Sequence, residues 1–92
     1  MSFMEIQRIA VAGTMESSDV YVEIEPGDGK IEIALESVVA KQFGDAIRET
    51  VLEVLQEQGI QSAKVRVVDR GALDCVIRAR VETAVLRGKE SC

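Results

Sequence analysis

Ser17 and Ser18 stand side by side between the carboxylates Glu16 and Asp19, in a stretch of otherwise small residues. They are the first place to look for chemistry. The chain holds no histidine, which rules out Ser-His and Cys-His nucleophilic pairs and the ordinary His-based metal sites. Glu16 and Asp19 could serve a small acid-base enzyme, but such work needs groups held in place, and their segment reads as mobile. Cys75 and Cys92 are too few and too far apart for a disulfide framework or a zinc site. Cys75 reads as a packed small apolar side chain and Cys92 as a terminal thiol. Arg78 and Arg80 are candidates to clamp a phosphate with their forked guanidinia. The plainer reading of that pair is a solvated helix face with an Asp74–Arg78 contact at i, i+4. From composition alone, Ser17-Ser18 is a polar turn before a strand. Any reactive group this protein uses therefore comes from elsewhere.

The elements that must position these residues follow from the patterning. Residues 1–19 show no periodicity and read as a flexible N-terminal segment. Val20, Val22 and Ile24 then alternate with Tyr21, Glu23 and Glu25, and Ile31, Ile33 and Leu35 alternate with Glu32, Ala34 and Glu36. Pro26-Gly27-Asp28-Gly29 lies between them, so the two runs predict a β-hairpin with one acidic face. Ser37 is placed to cap a helix. From Val38 to Leu55 apolar residues recur at spacings of three and four, including Phe43, Ile47, Val51 and Val54, with Gly59 at the expected stop. Gly44 inside this helix would be explained by a close contact, either within the fold or with a partner. Glu49, Glu53 and Glu57 read as a solvated stripe. Ala63, Val65 and Val67 mark a third strand, broken by Asp69-Arg70-Gly71.

Residues 72–87 fit a helix closed by Gly88, with a strand followed by a short helix as the alternative. The order β-β-α-β-α predicts a small single-domain α+β fold, a two-layer sandwich with helices on one face of the sheet. Its boundaries are a segment 1–19, a domain 20–88 and a tail 89–92.

The totals narrow the function classes. A chain of 92 residues is one small domain, and its aromatics amount to 3%, so the core is aliphatic with Phe43 as its one large ring. The formal charge is -5 and the 11 basic residues are scattered, which disfavours nucleic acid and anionic membranes as partners. No signal peptide and no apolar run of membrane-spanning length is visible, so the default location is cytoplasmic and reducing.

Three stretches resemble one family. Ala10 to Ser17, AVAGTMES, followed by Ser18-Asp19, resembles the N-terminal segment of citrate lyase acyl carrier proteins, roughly A-G-T-(L/M)-E-S-(G/S)-D. Lys41 to Arg48, KQFGDAIR, is similar to a helix of that family. Asp69 to Cys75, DRGALDC, leading to Arg78-Ala79-Arg80, resembles its D-(K/R)-G-A-L-D-C…R-A-R. The malonate decarboxylase carriers look like more distant relatives. The D-S-L signature of ordinary phosphopantetheine carriers is missing.

The resemblance implies a non-catalytic carrier whose serine bears 2'-(5''-phosphoribosyl)-3'-dephospho-CoA through a phosphodiester. Carried over, that serine is Ser17. Ser18, where the family often has Gly, is the fallback. The implied partners are the alpha (acyl transferase) and beta (citryl lyase) subunits, a prosthetic-group transferase and an acetylating ligase. In the implied cycle an acetyl thioester is exchanged for citryl, which is then cleaved to oxaloacetate while the acetyl thioester is regenerated. Glu16 and Asp19 would offer recognition charges to the transferase. The rival readings are a non-carrier protein-interaction module and the carrier of a malonate decarboxylase.

Overall fold

The computed structural model describes residues 5–89; of the expected tail 89–92 only Lys89 is among them, and the rest, with Cys92, lies outside. The elements are β1 (Ala10–Gly13), β2 (Val20–Pro26), β3 (Ile31–Ser37), α1 (Ala40–Glu57), β4 (Ala63–Asp69) and α2 (Asp74–Lys89). The α+β sandwich expected from the patterning is present. Its four-stranded sheet has the order β1-β2-β4-β3. Val20, Val22, Ile24, Val65 and Val67 point inward from the sheet and meet Val51, Val54, Val81 and Val85 of the two helices in one aliphatic core.

Two features of the sheet differ from the reading of the sequence. Ala10–Gly13, placed there in a loop, is an edge strand antiparallel to β2, with Ala10 opposite Ile24 and Gly13 opposite Tyr21. Ala10 and Ala12 are buried and Val11 is exposed, but so short an alternation of small residues gives no visible period. The second difference is larger. β2 and β3 form no hairpin, because β4 lies between them, antiparallel to β2 and parallel to β3.

Charge accounts for that order. Glu23 and Glu25 of β2 and Glu32 and Glu36 of β3 all face away from the core, and like charges directly opposite each other across a strand pair are destabilising. β4 instead sets Arg66 opposite Glu23, and Lys64 between Glu25 and Glu32. Arg66 Nη1 lies 3.8 Å from Glu23 Oε1. Parallel pairing of β3 and β4 then requires a crossover, which α1 supplies. The link 27–30 passes over the start of β4, where the Ala63 N–H donates to the Lys30 carbonyl at 3.1 Å. A Cβ on Gly27 would sit 2.5 Å from the Ala63 nitrogen, so only glycine allows this crossing.

α1 begins at Ala40, with Val39 rather than Ser37 at its N-cap. The Ser37 hydroxyl instead accepts the Val39 N–H at 3.1 Å, one step outside the helix. The helix closes as expected at Gly59, through Gly59 N–H to Gln56 O at 3.0 Å and Ile60 N–H to Leu55 O at 2.9 Å. Phe43, read as a core ring, is 53% exposed. α2 is one continuous helix, and it runs through Gly88 rather than stopping there: Gly88 is buried, and its carbonyl accepts the Gln7 N–H at 2.7 Å.

Within the fold no close contact accounts for Gly44. A Cβ there would lie 3.8 Å from Ala40 Cβ and Leu35 Cδ2, ordinary van der Waals distance. Gly44→Ala is therefore expected to stabilise the protein by about 1 kcal/mol. Thermal unfolding should show a rise of about 4–8 °C. A fall would mean that the helix needs the missing side chain at this point.

Candidate functional site

Because β2 is antiparallel to β4 and β3 is parallel to it, the start of β2 and the ends of β3 and β4 lie at one end of the sheet. Both helices also begin there. This is where the crevice outside the strand ends falls in sheets with crossover helices. The loop 14–19, which carries Ser17 and Ser18, arrives at the same end.

The loop is built around a turn. Asp19 N–H donates to the Glu16 carbonyl at 3.1 Å, which puts Ser17 and Ser18 at the two central positions. Ser18 has φ +67, a left-handed conformation that favours glycine. Its N–H donates to the Arg70 carbonyl at 2.8 Å, and Arg70 N–H donates to the Asp19 carbonyl at 2.9 Å. These bonds continue the β2–β4 ladder beyond the Val20–Asp69 pair. Both serines are exposed. The Ser17 hydroxyl has no hydrogen-bond partner among the described residues.

Asp19 pins the loop from inside. Its carboxylate accepts the Thr14 hydroxyl at 2.7 Å, the Val20 N–H at 2.7 Å and Arg80 Nε at 3.2 Å. The Thr14 hydroxyl, then the Val20 N–H, then Arg80 hold this carboxyl at about 2 against the opposing effect of burial. A carboxyl whose folded pKa lies below its unfolded value stabilises the fold above the unfolded pKa, and that stability is lost as pH falls through the folded one. Wild type is therefore expected to lose more stability than Asp19→Asn as pH falls from about 5 to about 2, read from melting temperature against pH. Parallel acid limbs for the two proteins would show that Asp19 does not pin the loop.

The two arginines do not act as a pair. Arg78 points to α1, donating from Nη1 to Glu53 Oε1 at 2.6 Å and from Nη2 to Glu57 Oε2 at 3.1 Å. The Asp74–Arg78 contact is absent because Asp74 accepts the Thr50 hydroxyl at 2.7 Å. Glu53 and Glu57 are thus salt-bridge partners rather than a bare solvated stripe. Arg80 alone reaches the serine loop. Cys75 is exposed instead of packed, because the buried stripe of α2 runs through Ile77, Val81, Ala84 and Val85.

Asp69 is the residue that patterning missed. It is 1% exposed, and it accepts the Ser37 hydroxyl at 2.7 Å, the Ala72 N–H at 2.9 Å and the Gly71 N–H at 3.2 Å. It ties the end of β3 to the β4–α2 turn. Asp-x-Gly after a strand is the signal that would have found it.

Beyond Arg70 the same turn forms one wall of an apolar groove of about 350 Å³, with Ala72, Leu73 and Ile77 facing Val39, Phe43 and Ala46 of the α1 side. Leu73 is 71% exposed. Among the described residues no helix is long and apolar enough to cross a membrane.

Comparison with known proteins shows the family and the fold. A family model described as malonate decarboxylase delta subunit (MdcD) matches residues 7–88. The citrate lyase acyl carrier protein of Enterobacter sp. (strain 638) is 54% identical over 87 residues, covering 95% of this chain and 90% of the relative. That of Weissella paramesenteroides is 57% identical over 84 residues, covering 91% and 87%. A chain in the crystal structure of a Pseudomonas malonate decarboxylase hetero-tetramer in complex with malonate shares the fold, with a TM-score of 0.77. It is 24% identical, and the match covers 88% of this chain and 84% of that one.

Proposed function

The chain belongs to the family of citrate lyase acyl carrier proteins and malonate decarboxylase delta subunits, and on that footing we propose that it is the acyl carrier subunit of a citrate lyase, with its prosthetic group on Ser17. One observation carries the assignment of the residue. Ser17 presents a hydroxyl without a partner among the described residues, at the tip of a turn whose backbone is bonded to the sheet on one side and whose Asp19 is locked by Thr14 and Arg80.

The group the family resemblance implies is 2'-(5''-phosphoribosyl)-3'-dephospho-CoA in phosphodiester linkage. When bound, it supplies a thiol that carries acyl groups as thioesters. Ser17 needs no general base, since it is an anchor rather than a nucleophile in the carrier's own cycle. The turn keeps the anchor on the surface, where a partner enzyme reaches it, while the ladder through Arg70 fixes the root. A tethered thioester then has a high effective concentration at each partner site within reach of the arm. Acyl exchange and citryl cleavage belong to the alpha and beta subunits, and this chain catalyses neither. Glu16, exposed beside the anchor, offers a charge to the prosthetic-group transferase. An acetylating ligase completes the set of partners, and the location is cytoplasmic.

A malonate decarboxylase carrier is the second reading, suggested by the family model and the structural neighbour. The identity of 49–57% to citrate lyase relatives favours the first. The test is the intact mass of the protein after incubation with the citrate lyase transferase and its arm donor, followed by peptide mapping. The expected result is a single addition on the peptide holding Ser17. An unmodified protein, with the transferase active on a known carrier, would sink the proposal.

A further inference from the structure

The serine loop and the apolar groove beside it share a wall. Ser18 N–H bonds the Arg70 carbonyl, and the residues that follow, Gly71, Ala72 and Leu73, line the groove. The opposite wall begins at Val39, just past the end of β3. From the start of β2 across β4 to β3 is two strand spacings, about 10 Å. Whatever is attached at Ser17 therefore reaches the groove with its first few units, not with its distant thiol end.

The chemistry of the walls is selective. Val39, Phe43, Ala46, Ile47, Leu73 and Ile77 are apolar, and the Phe43 ring is 53% exposed. The carboxylates at the rim are already engaged, Asp69 by Ser37, Gly71 and Ala72, and Asp74 by Thr50. Such a surface suits a flat, weakly polar ring and is poor for phosphates or for the carboxylates of a citryl group. The arm named above holds one such ring, its purine, and holds it near the serine-linked end. We infer that the groove is the berth of the arm's purine, stacked on the face of Phe43. Base–aromatic stacking needs no hydrogen-bond readout. The docked purine draws the arm's root along the α1 side and sets the direction in which the rest of the arm leaves the protein.

This inference rests on Ser17 as the anchor, so the experiment reads the two separately. Intact mass of the loaded protein establishes attachment. NMR of the same sample then tests the berth. The expected result is cross-peaks from the purine H2 and H8 to the Phe43 ring, and shifts between unloaded and loaded protein at the Ala46, Ile47 and Leu73 methyls. In loaded Phe43→Leu, which keeps an apolar groove, the stacked population should fall about tenfold. Its purine resonances should then move to those of free dephospho-CoA. A fully loaded wild type with free-arm purine resonances and no cross-peaks would overturn the berth and leave Ser17 standing. Absence of any added mass would overturn both.

Discussion

Ser17→Ala is expected to abolish loading of the arm, while Ser18→Gly should be loaded as well as wild type and melt at a higher temperature. The contrast follows from the turn. Ser17 is the central residue whose backbone is free, and its exposed hydroxyl is not committed to any bond among the described residues. Ser18 is held by its own N–H to the Arg70 carbonyl at 2.8 Å and by a φ of +67. Moving the second hydroxyl into the first one's place would break the ladder that seats the loop. A left-handed residue with a Cβ costs about 1 kcal/mol relative to glycine. Ser18→Gly recovers that cost, less what the more flexible unfolded chain takes back. The melting temperature should rise by a few degrees, at about 4–8 °C per kcal/mol. Ser17→Ala should leave stability within about 0.5 kcal/mol of wild type, as exposed substitutions do. Its failure to load therefore cannot be put down to unfolding. Loading that persists in Ser17→Ala and vanishes in Ser18→Ala would move the anchor one residue on.

The left-handed φ at Ser18 also explains in physical terms why glycine suits that position, a point the sequence presents only as a departure from a pattern. Other parts of the molecule were legible in the same uneven way. The apolar spacing from Ile47 to Leu55 and the alternation in Ala63, Val65 and Val67 reflect burial on one face, and burial is what periodicity reports. Pairing is another matter. Alternation says that residues 20–25 and 31–36 are strands, but not which strand lies beside which. The deciding fact, basic Lys64 and Arg66 inserted between rows of glutamates, involves three segments at once. Phe43 and Leu73 kept the helical spacing of core residues while lying at the open end of the sandwich, where the stripe outruns the sheet. In the candidate site, the serines were legible as a polar turn, and the resemblance alone suggested the anchor role proposed for Ser17. Asp69 and the split roles of Arg78 and Arg80 were not, because each depends on a partner more than 20 residues away.

Gly13→Ala is expected to be the most damaging single-methyl change in the chain, and it tests whether the serine loop and the fold are one unit. Gly13 ends β1 with φ +85, and a Cβ there would lie 1.9 Å from the Val20 carbonyl oxygen and 3.2 Å from Arg80 Cδ. The side chain of Arg80 can move aside. The Val20 carbonyl cannot, since Val20 is fully buried and paired with Asp69. The left-handed φ costs about 1–2 kcal/mol and the displaced backbone about 1–3 more, so the loss is about 2–5 kcal/mol. The melting temperature should then fall by roughly 10–30 °C. Gly29→Ala is the control, because Gly29 has φ +91 but nothing within 4 Å of its missing Cβ. It should cost about 1–2 kcal/mol, the backbone conformation alone. Gly13 also leads directly into Thr14, whose hydroxyl holds Asp19. Loading of Gly13→Ala, assayed well below its melting temperature, should therefore be slower than that of Gly29→Ala. Equal loading rates would mean that the anchor tolerates a displaced loop, and that the contacts of Thr14, Asp19 and Arg80 serve stability alone.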